Sequence, residues 1–287
     1  MSDKYRDAIA ASGVLADDGA VKAAVEKILA EHLEENKTQE VYRKIFNCID
    51  LTTLKSTDSP DSVAQFTKRV NDFDEEHPEL PNVAAICVYP VFAEVVRQVL
   101  EVSQVNIACV SAGFPSSQTF PEVKIAETAL AVGAGADEID IVMNLGLFFD
   151  GDYEELCDEM EEIKHSCRRA RLKVILESGA LKTAENIRAA SILSLYSGAD
   201  FLKTSTGKEY PGASLEAAYV MCQCIKEYFD KTGTMVGFKA AGGVASTEDA
   251  VKYYTIVKEV LGDAWLDNEY FRIGASRLAN NLLSDIL

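Results

Sequence analysis

From about residue 46 onward, short apolar runs and amphipathic stretches alternate strictly along the chain. The apolar runs are Ile45 to Leu51, Val83 to Tyr89, Val105 to Ala112, Glu138 to Leu145, Leu172 to Glu177, Phe201 to Ser205, Met235 to Ala240 and Phe271 to Gly274. Several are near-continuous rather than alternating, the pattern of parallel strands covered on both faces. The stretches between them carry helix punctuation. Ser59-Pro60-Asp61, Phe120-Pro121-Glu122, Thr183-Ala184-Glu185 and Ser246-Thr247-Glu248-Asp249 read as starts, with a capping side chain or a proline in the first turn. Gly133, Gly198, Gly233 and Gly262 read as stops. Eight strands, each followed by a helix, predict a closed (β/α)8 TIM barrel over residues 45–287 rather than an open doubly wound sheet. Residues 1–44 stand outside that repeat. The run Val21 to His32 has helical spacing, so this segment is expected to be a helical N-terminal extension packed on the barrel.

Two of the strand runs contain a lysine near their middle: Phe201-Leu202-Lys203-Thr204-Ser205-Thr206-Gly207 and Val236-Gly237-Phe238-Lys239-Ala240-Ala241-Gly242-Gly243. Lysine is almost never fully buried without a partner or a purpose. A desolvated ammonium beside a second cation loses proton affinity and becomes an amine able to attack a carbonyl. On an isolated strand, a lysine that snorkels outward is the more common case. Two on adjacent strands, one strand spacing of roughly 5 Å apart and each leading into a glycine loop, favour a shared site.

Strand ends of a barrel converge on one face, and there the pattern adds Asp50, Cys87 and Asp140. Asp140 is an acid among apolar β-branched residues, where burial demands a cationic partner. It serves equally as a structural counter-ion or as a proton relay. Asp50 either contacts a substrate hydroxyl, pairs with Lys239, or simply opens a turn. Cys87 points inward near the site, and a core thiol is its commoner role. Three glycine-bearing strand ends, Thr206-Gly207-Lys208, Ala241-Gly242-Gly243 and Gly274-Ala275-Ser276, suggest a phosphate cradle, with Lys208 adding a cation and Ser276 a hydroxyl.

Charge and composition narrow the partners. With 28 basic and 46 acidic residues among 287, the net charge is −18. A field of that sign repels nucleic acid and anionic membranes, and an anionic small substrate then needs a local cationic pocket. Acidic residues interrupt even the long apolar segment from Ala129 to Phe149, so no membrane span is expected. The start Met1-Ser2-Asp3-Lys4-Tyr5-Arg6-Asp7 lacks an apolar signal core, and Ser284-Asp285-Ile286-Leu287 matches no retention tail; a cytoplasmic protein is expected. The seven cysteines form no C-x-x-C pair and read as reduced, core-filling thiols. His32, His77 and His165 all lie away from strand ends, so no metal site is expected there.

Five stretches resemble the deoxyribose-phosphate aldolase family, in the family's order: Asp50-Leu51-Thr52-Thr53-Leu54, Ala84-Ala85-Ile86-Cys87-Val88-Tyr89-Pro90, Gly135-Ala136-Asp137-Glu138-Ile139-Asp140, Gly198 to Lys208, and Val236 to Gly243. The resemblance implies a (β/α)8 class I aldolase that needs no metal or other cofactor. Its reaction would be reversible cleavage of 2-deoxy-D-ribose 5-phosphate to D-glyceraldehyde 3-phosphate and acetaldehyde. It implies Lys203 as Schiff-base nucleophile, Lys239 as the group that depresses its pKa, and Asp140 in proton transfer. It further implies Gly207, Gly242, Gly243 and the Gly274 to Ser276 turn at the phosphate, and Cys87 lining the substrate channel. Arg277 stands where some members carry a second serine, and the chain stops at Leu287 without the terminal tyrosine tail of some members. Two other readings stay open: a transaldolase-like Schiff-base aldolase acting on another sugar phosphate, and a non-catalytic barrel that binds sugar phosphates. The extension has no counterpart in the resemblance, and covering its own barrel or building a homodimer contact are equally open to it.

Overall fold

The computed structural model describes residues 4–287. Eight parallel strands close in chain order: β1 (Ile49–Thr52), β2 (Ala85–Val88), β3 (Asn106–Val110), β4 (Glu138–Val142), β5 (Arg171–Ile175), β6 (Phe201–Lys203), β7 (Gly237–Ala241) and β8 (Phe271–Ala275), which pairs back onto β1. The expected barrel is therefore the observed one. Ser59, Thr183 and Ser246 cap their helices through the side chain, and Pro121 opens the helix Pro121–Gly133. Gly233 ends the helix Leu215–Thr232 in the left-handed conformation, with φ of 73°.

All strands but β8 are shorter than the apolar runs that announce them. Residues 45–47 belong to the end of a helix, Gln39–Asn47, whose Val41, Ile45 and Phe46 are buried at helical spacing. A buried helix end followed directly by a buried strand leaves one unbroken apolar run, and periodicity cannot divide it. Likewise Leu176-Glu177 and Thr204-Ser205 are buried residues beyond the last ladder position of their strands.

The N-terminal segment folds as helices Lys4–Ala10 and Asp18–His32, which lie on the barrel's outer helices. Polar contacts tie it down. Asp18 Oδ1 accepts from the Ala184 N–H at 2.7 Å, which opens the helix Ala184–Tyr196. Glu227 Oε2 accepts from Ser12 Oγ at 2.8 Å, and Asn36 Nδ2 donates to Thr255 Oγ1 at 3.1 Å. Among the described residues, no helix is long and apolar enough to cross a membrane.

All seven cysteines are buried and unpaired. Burial pushes their thiols up, Cys48 and Cys224 to about 12, so the reactive thiolate is scarce at neutral pH. Titration of the folded protein with a thiol-specific disulfide reagent should find almost no reactive thiol, and denaturant should release all seven. Rapid native labelling of more than one would contradict the burial.

Candidate active site

The barrel interior is ionic where an ordinary barrel is packed with branched apolar side chains. In register, Lys203 of β6 sits beside Lys239 of β7, Lys239 beside Arg272 of β8, and Asp140 of β4 beside Lys173 of β5. Together with Asp50 on β1 and Glu138 on β4, these side chains are at most 4% exposed. Such charges survive only as a connected network.

Asp140 is the hub. Its Oδ2 accepts from Lys203 Nζ at 2.7 Å and from Lys239 Nζ at 2.7 Å, while Oδ1 accepts from Lys173 Nζ at 2.9 Å. Lys239 Nζ also donates to Asp50 Oδ2 at 2.5 Å, and Lys173 Nζ lies 2.5 Å from Glu138 Oε2. Arg272 closes the far side, donating from Nη1 to Asp50 Oδ1 at 2.6 Å and from Nη2 to Glu138 Oε1 at 2.8 Å. Beneath it the Phe201 ring lies 5.7 Å from the guanidinium carbon, a cation–π contact that closes the network toward the barrel floor. The ring needs the bare backbone of Gly237, where an added Cβ would meet it at 2.3 Å.

The electrostatics separate the lysines. Burial opposes charge on all of them, and the carboxylates outweigh it for Lys173 and Lys239, whose pKa values are raised by Asp140 and its neighbours. Lys203 has one carboxylate partner, and shares that oxygen with Lys239. Its pKa is lowered, first by burial and then by the Lys239 charge, against the pull of Asp140. Asp140 itself is held well below the usual carboxylate range: Lys173, Lys203 and Lys239 overcome the cost of its burial.

Lys203 also forms the boundary with solvent. A cleft of about 280 Å³ opens at the C-terminal ends of β1, β6, β7 and β8. Its lining includes Lys203, Thr206, Gly207, Lys208, Gly242, Gly243, Gly274 and Ser276. The expected cradle residues are thus brought together around the expected nucleophile. Lys55, Lys208 and Arg277 put three cations on the same lining, the local positive pocket that a chain of charge −18 requires for an anion. Gly207 and Gly242 adopt φ of 71° and 86°, and the Cα of each lies within 3.5 Å of where a Cβ would stand on the other. The helix Leu278–Ile286 starts here without a side-chain cap, leaving its first amide groups for a ligand.

Asp140 and Lys239 stand in mid-strand, not at strand ends, and they reach the cleft only through Lys203. Asp50 and Cys87 lie below the lining, fully buried. Of the roles open to Asp50, the structure shows the ion pair with Lys239, and both its oxygens are occupied. Cys87 joins Ala85, Ala108 and Val110 in an apolar group on β2 and β3, against which Leu54, Tyr89 and Phe114 pack.

The sequence reading passed over Lys173, Arg272, Glu138 and Glu177 as site residues. The signal for the first two is the one that singled out the lysines, a cation inside an apolar run, in Leu172-Lys173-Val174 and Phe271-Arg272-Ile273. Looking only at strand ends hid them, because neither stands at the end of its strand or lines the cleft. Glu177, with φ of 55°, accepts from the Thr206 N–H at 3.2 Å and from Thr206 Oγ1 at 2.6 Å. Its carboxylate thereby holds the Thr206-Gly207-Lys208 loop in place, and no local sequence pattern marks it.

Comparisons with known proteins agree with this geometry. The profile of the DeoC/LacD family aldolases matches residues 45–260. A Caenorhabditis elegans protein is 40% identical over 272 residues, covering 94% of this chain and 89% of its own. The human protein named deoxyribose-phosphate aldolase is 39% identical over 278 residues, covering 93% of this chain and 86% of its own. Among solved structures, the tetrameric deoxyribose phosphate aldolase from Aeropyrum pernix superposes with a TM-score of 0.69 at 25% identity, over 90% of this chain and 96% of that one.

Proposed function

Since the chain belongs to the DeoC/LacD family of aldolases, we propose that it reversibly cleaves 2-deoxy-D-ribose 5-phosphate to D-glyceraldehyde 3-phosphate and acetaldehyde through a Schiff base on Lys203. One observation carries the assignment of the nucleophile. Of the three lysines buried in the barrel, Lys203 alone lines the cleft and alone has a lowered pKa, by burial and by Lys239. A lowered pKa raises the share of neutral amine, the form that attacks carbonyls.

The steps follow from that placement. The Lys203 nitrogen adds to the C1 aldehyde of the open-chain sugar, and the resulting carbinolamine loses water to give an iminium. A base takes the proton of the C3 hydroxyl, the C2–C3 bond breaks, and its electron pair moves into the iminium to form an enamine. Glyceraldehyde 3-phosphate leaves. The enamine takes a proton at C2, and water then releases acetaldehyde and the free amine. Asp140, bonded to both lysines, carries protons between the reacting nitrogen and Lys239. The substrate phosphate sits among Gly207, Gly242, Gly243, the Gly274 to Ser276 turn, Lys208 and Arg277. A role in deoxyribonucleotide catabolism in the cytoplasm accompanies this reading, in keeping with seven free thiols.

Borohydride reduction in the presence of acetaldehyde should trap a covalent adduct, and peptide mass mapping should find it on Lys203. No adduct, or one on Lys173 or Lys239, overturns the assignment. For the phosphate end, Arg277→Ala and Lys208→Ala should each raise KM for the phosphorylated sugar about tenfold, the worth of one charge-assisted contact. Steady-state kinetics with unphosphorylated deoxyribose should stay near wild type; an equal loss on both substrates would remove these side chains from the phosphate.

A further inference from the structure

The buried network holds four cations, Lys173, Lys203, Lys239 and Arg272, against three carboxylates, Asp50, Glu138 and Asp140. With all ionised, one positive charge is left over in a buried volume. We propose that Glu138 and Arg272, neither of which reaches the cleft, set the protonation state of Lys203 by holding the buried excess of cations over carboxylates at one. The inference rests on Lys203 being the nucleophile.

Connectivity explains why the surplus falls on Lys203. Arg272 bridges Asp50 and Glu138, Lys239 reaches Asp50 and Asp140, and Lys173 reaches all three carboxylates, so each of these cations faces at least two. Lys203 faces Asp140 alone. A guanidinium does not release its proton, so Arg272 claims its share of negative charge permanently. The lysine with the least compensation, beside the cleft, is the one that gives up a proton at least cost.

The groups around Lys203 come from every neighbouring element. Asp140 and Glu138 lie on β4, Lys239 on β7, Asp50 on β1, Cys87 on β2, Lys173 on β5 and Arg272 on β8, with Glu177 in the loop after β5. Burial keeps the Cys87 thiol neutral, its pKa being raised. Burial likewise raises the pKa of Glu177, and its carboxylate is engaged by Thr206. The remaining groups are the network itself. Glu138 and Arg272 are bonded directly to one another, and neither bonds Lys203, Lys239 or Asp140 or lines the cleft, so they can be changed as a pair without altering the reacting groups.

Opposite changes in charge should therefore have opposite effects. In Arg272→Met the cations equal the carboxylates, Lys203 keeps its proton, and the acidic limb of kcat/KM against pH moves up by on the order of one pH unit. In Glu138→Gln, close in shape to the native side chain, the excess becomes two and the limb moves down by a similar amount. The double variant Glu138→Gln/Arg272→Met restores an excess of one, and its limb returns to the wild-type position. Arg272→Lys, which keeps the charge, leaves the limb in place. The rate of borohydride trapping by acetaldehyde, followed against pH and mapped to Lys203, reports the same protonation without turnover. Single-variant shifts in the same direction, or a double variant that is merely the sum of two losses, overturn the proposal. If Arg272→Met does not fold, Glu138→Gln decides alone: a limb that stays put or moves up is fatal. Wild-type trapping away from Lys203 would instead refute the nucleophile assignment itself, a distinguishable failure.

Discussion

Replacing Lys203 by methionine should lower kcat for deoxyribose phosphate cleavage by a factor on the order of 10⁴ or more, the scale of losing a covalent nucleophile. The variant should nonetheless melt at the same temperature as the wild type or higher. Lys203 has a lowered pKa, so folding discourages its charge. For a base of that kind the folded state binds fewer protons than the unfolded one between the two pKa values. Stability then rises with pH across that window, and the penalty is full below the folded-state pKa. Methionine removes the penalty and fits the same stem, so the gain in melting temperature should be larger at acid pH than at pH 9. Activity assays and thermal unfolding across pH check both halves. A variant that stays active, or one that melts well below wild type, contradicts the account of Lys203 as the uncompensated cation.

Asp140→Asn should do the reverse to stability. Its carboxylate is shared by Lys173, Lys203 and Lys239 at 2.7 to 2.9 Å, and removing one partner from a buried ionic set costs about 3–5 kcal/mol. Activity should fall as well, by about 10²- to 10⁴-fold, as proton transfer loses its relay. The pH dependence has a definite sign. Asp50, Glu138 and Asp140 all have lowered pKa values, because the cations overcome the cost of burial. Their contribution is fully present above the ordinary carboxylate range, near pH 4, and is lost progressively as pH falls from there toward their lowered native-state values. Wild-type stability should drop steeply below about pH 4. The variant should show a shallower acid dependence from a lower starting point, measured by denaturant unfolding at neutral pH and at a series of pH values below about 4. An unchanged slope would show that the native protein does not rely on ionised Asp140.

The barrel was legible in the sequence because parallel strands buried on both faces leave continuous apolar runs, and helices between them leave caps and glycine stops. Boundaries were less so. The run beginning at Ile45 merges the end of a helix with β1, and only the three-dimensional packing of Val41, Ile45 and Phe46 separates them. In the site, Lys203, Lys239 and Asp140 stood out by being charged where neighbours were apolar. Lys173 and Arg272 carried the same mark at the third and second positions of five-residue strands, much as Asp140 and Lys239 do at mid-strand, so position along the strand did not set them apart. Glu177 carried no mark, since a glutamate after a strand is ordinary until its backbone turns left-handed and its carboxylate meets Thr206.

What the sequence determined by itself was the repeat, the family, and the presence of two lysines and an aspartate that burial alone could not justify. Those follow from local patterns, because burial on both faces and helix capping are written within a few residues. The resemblance implies Lys203 as the amine, and the physical grounds for proposing it over Lys239 come only from the tertiary structure. Closure of the barrel gives Lys173 three carboxylates, Lys239 and Arg272 two each and Lys203 one, and leaves Lys203 at the edge of the cleft. Proton affinity depends on every charge within a few ångströms, and those charges come from six of the eight strands, at positions far apart in the chain.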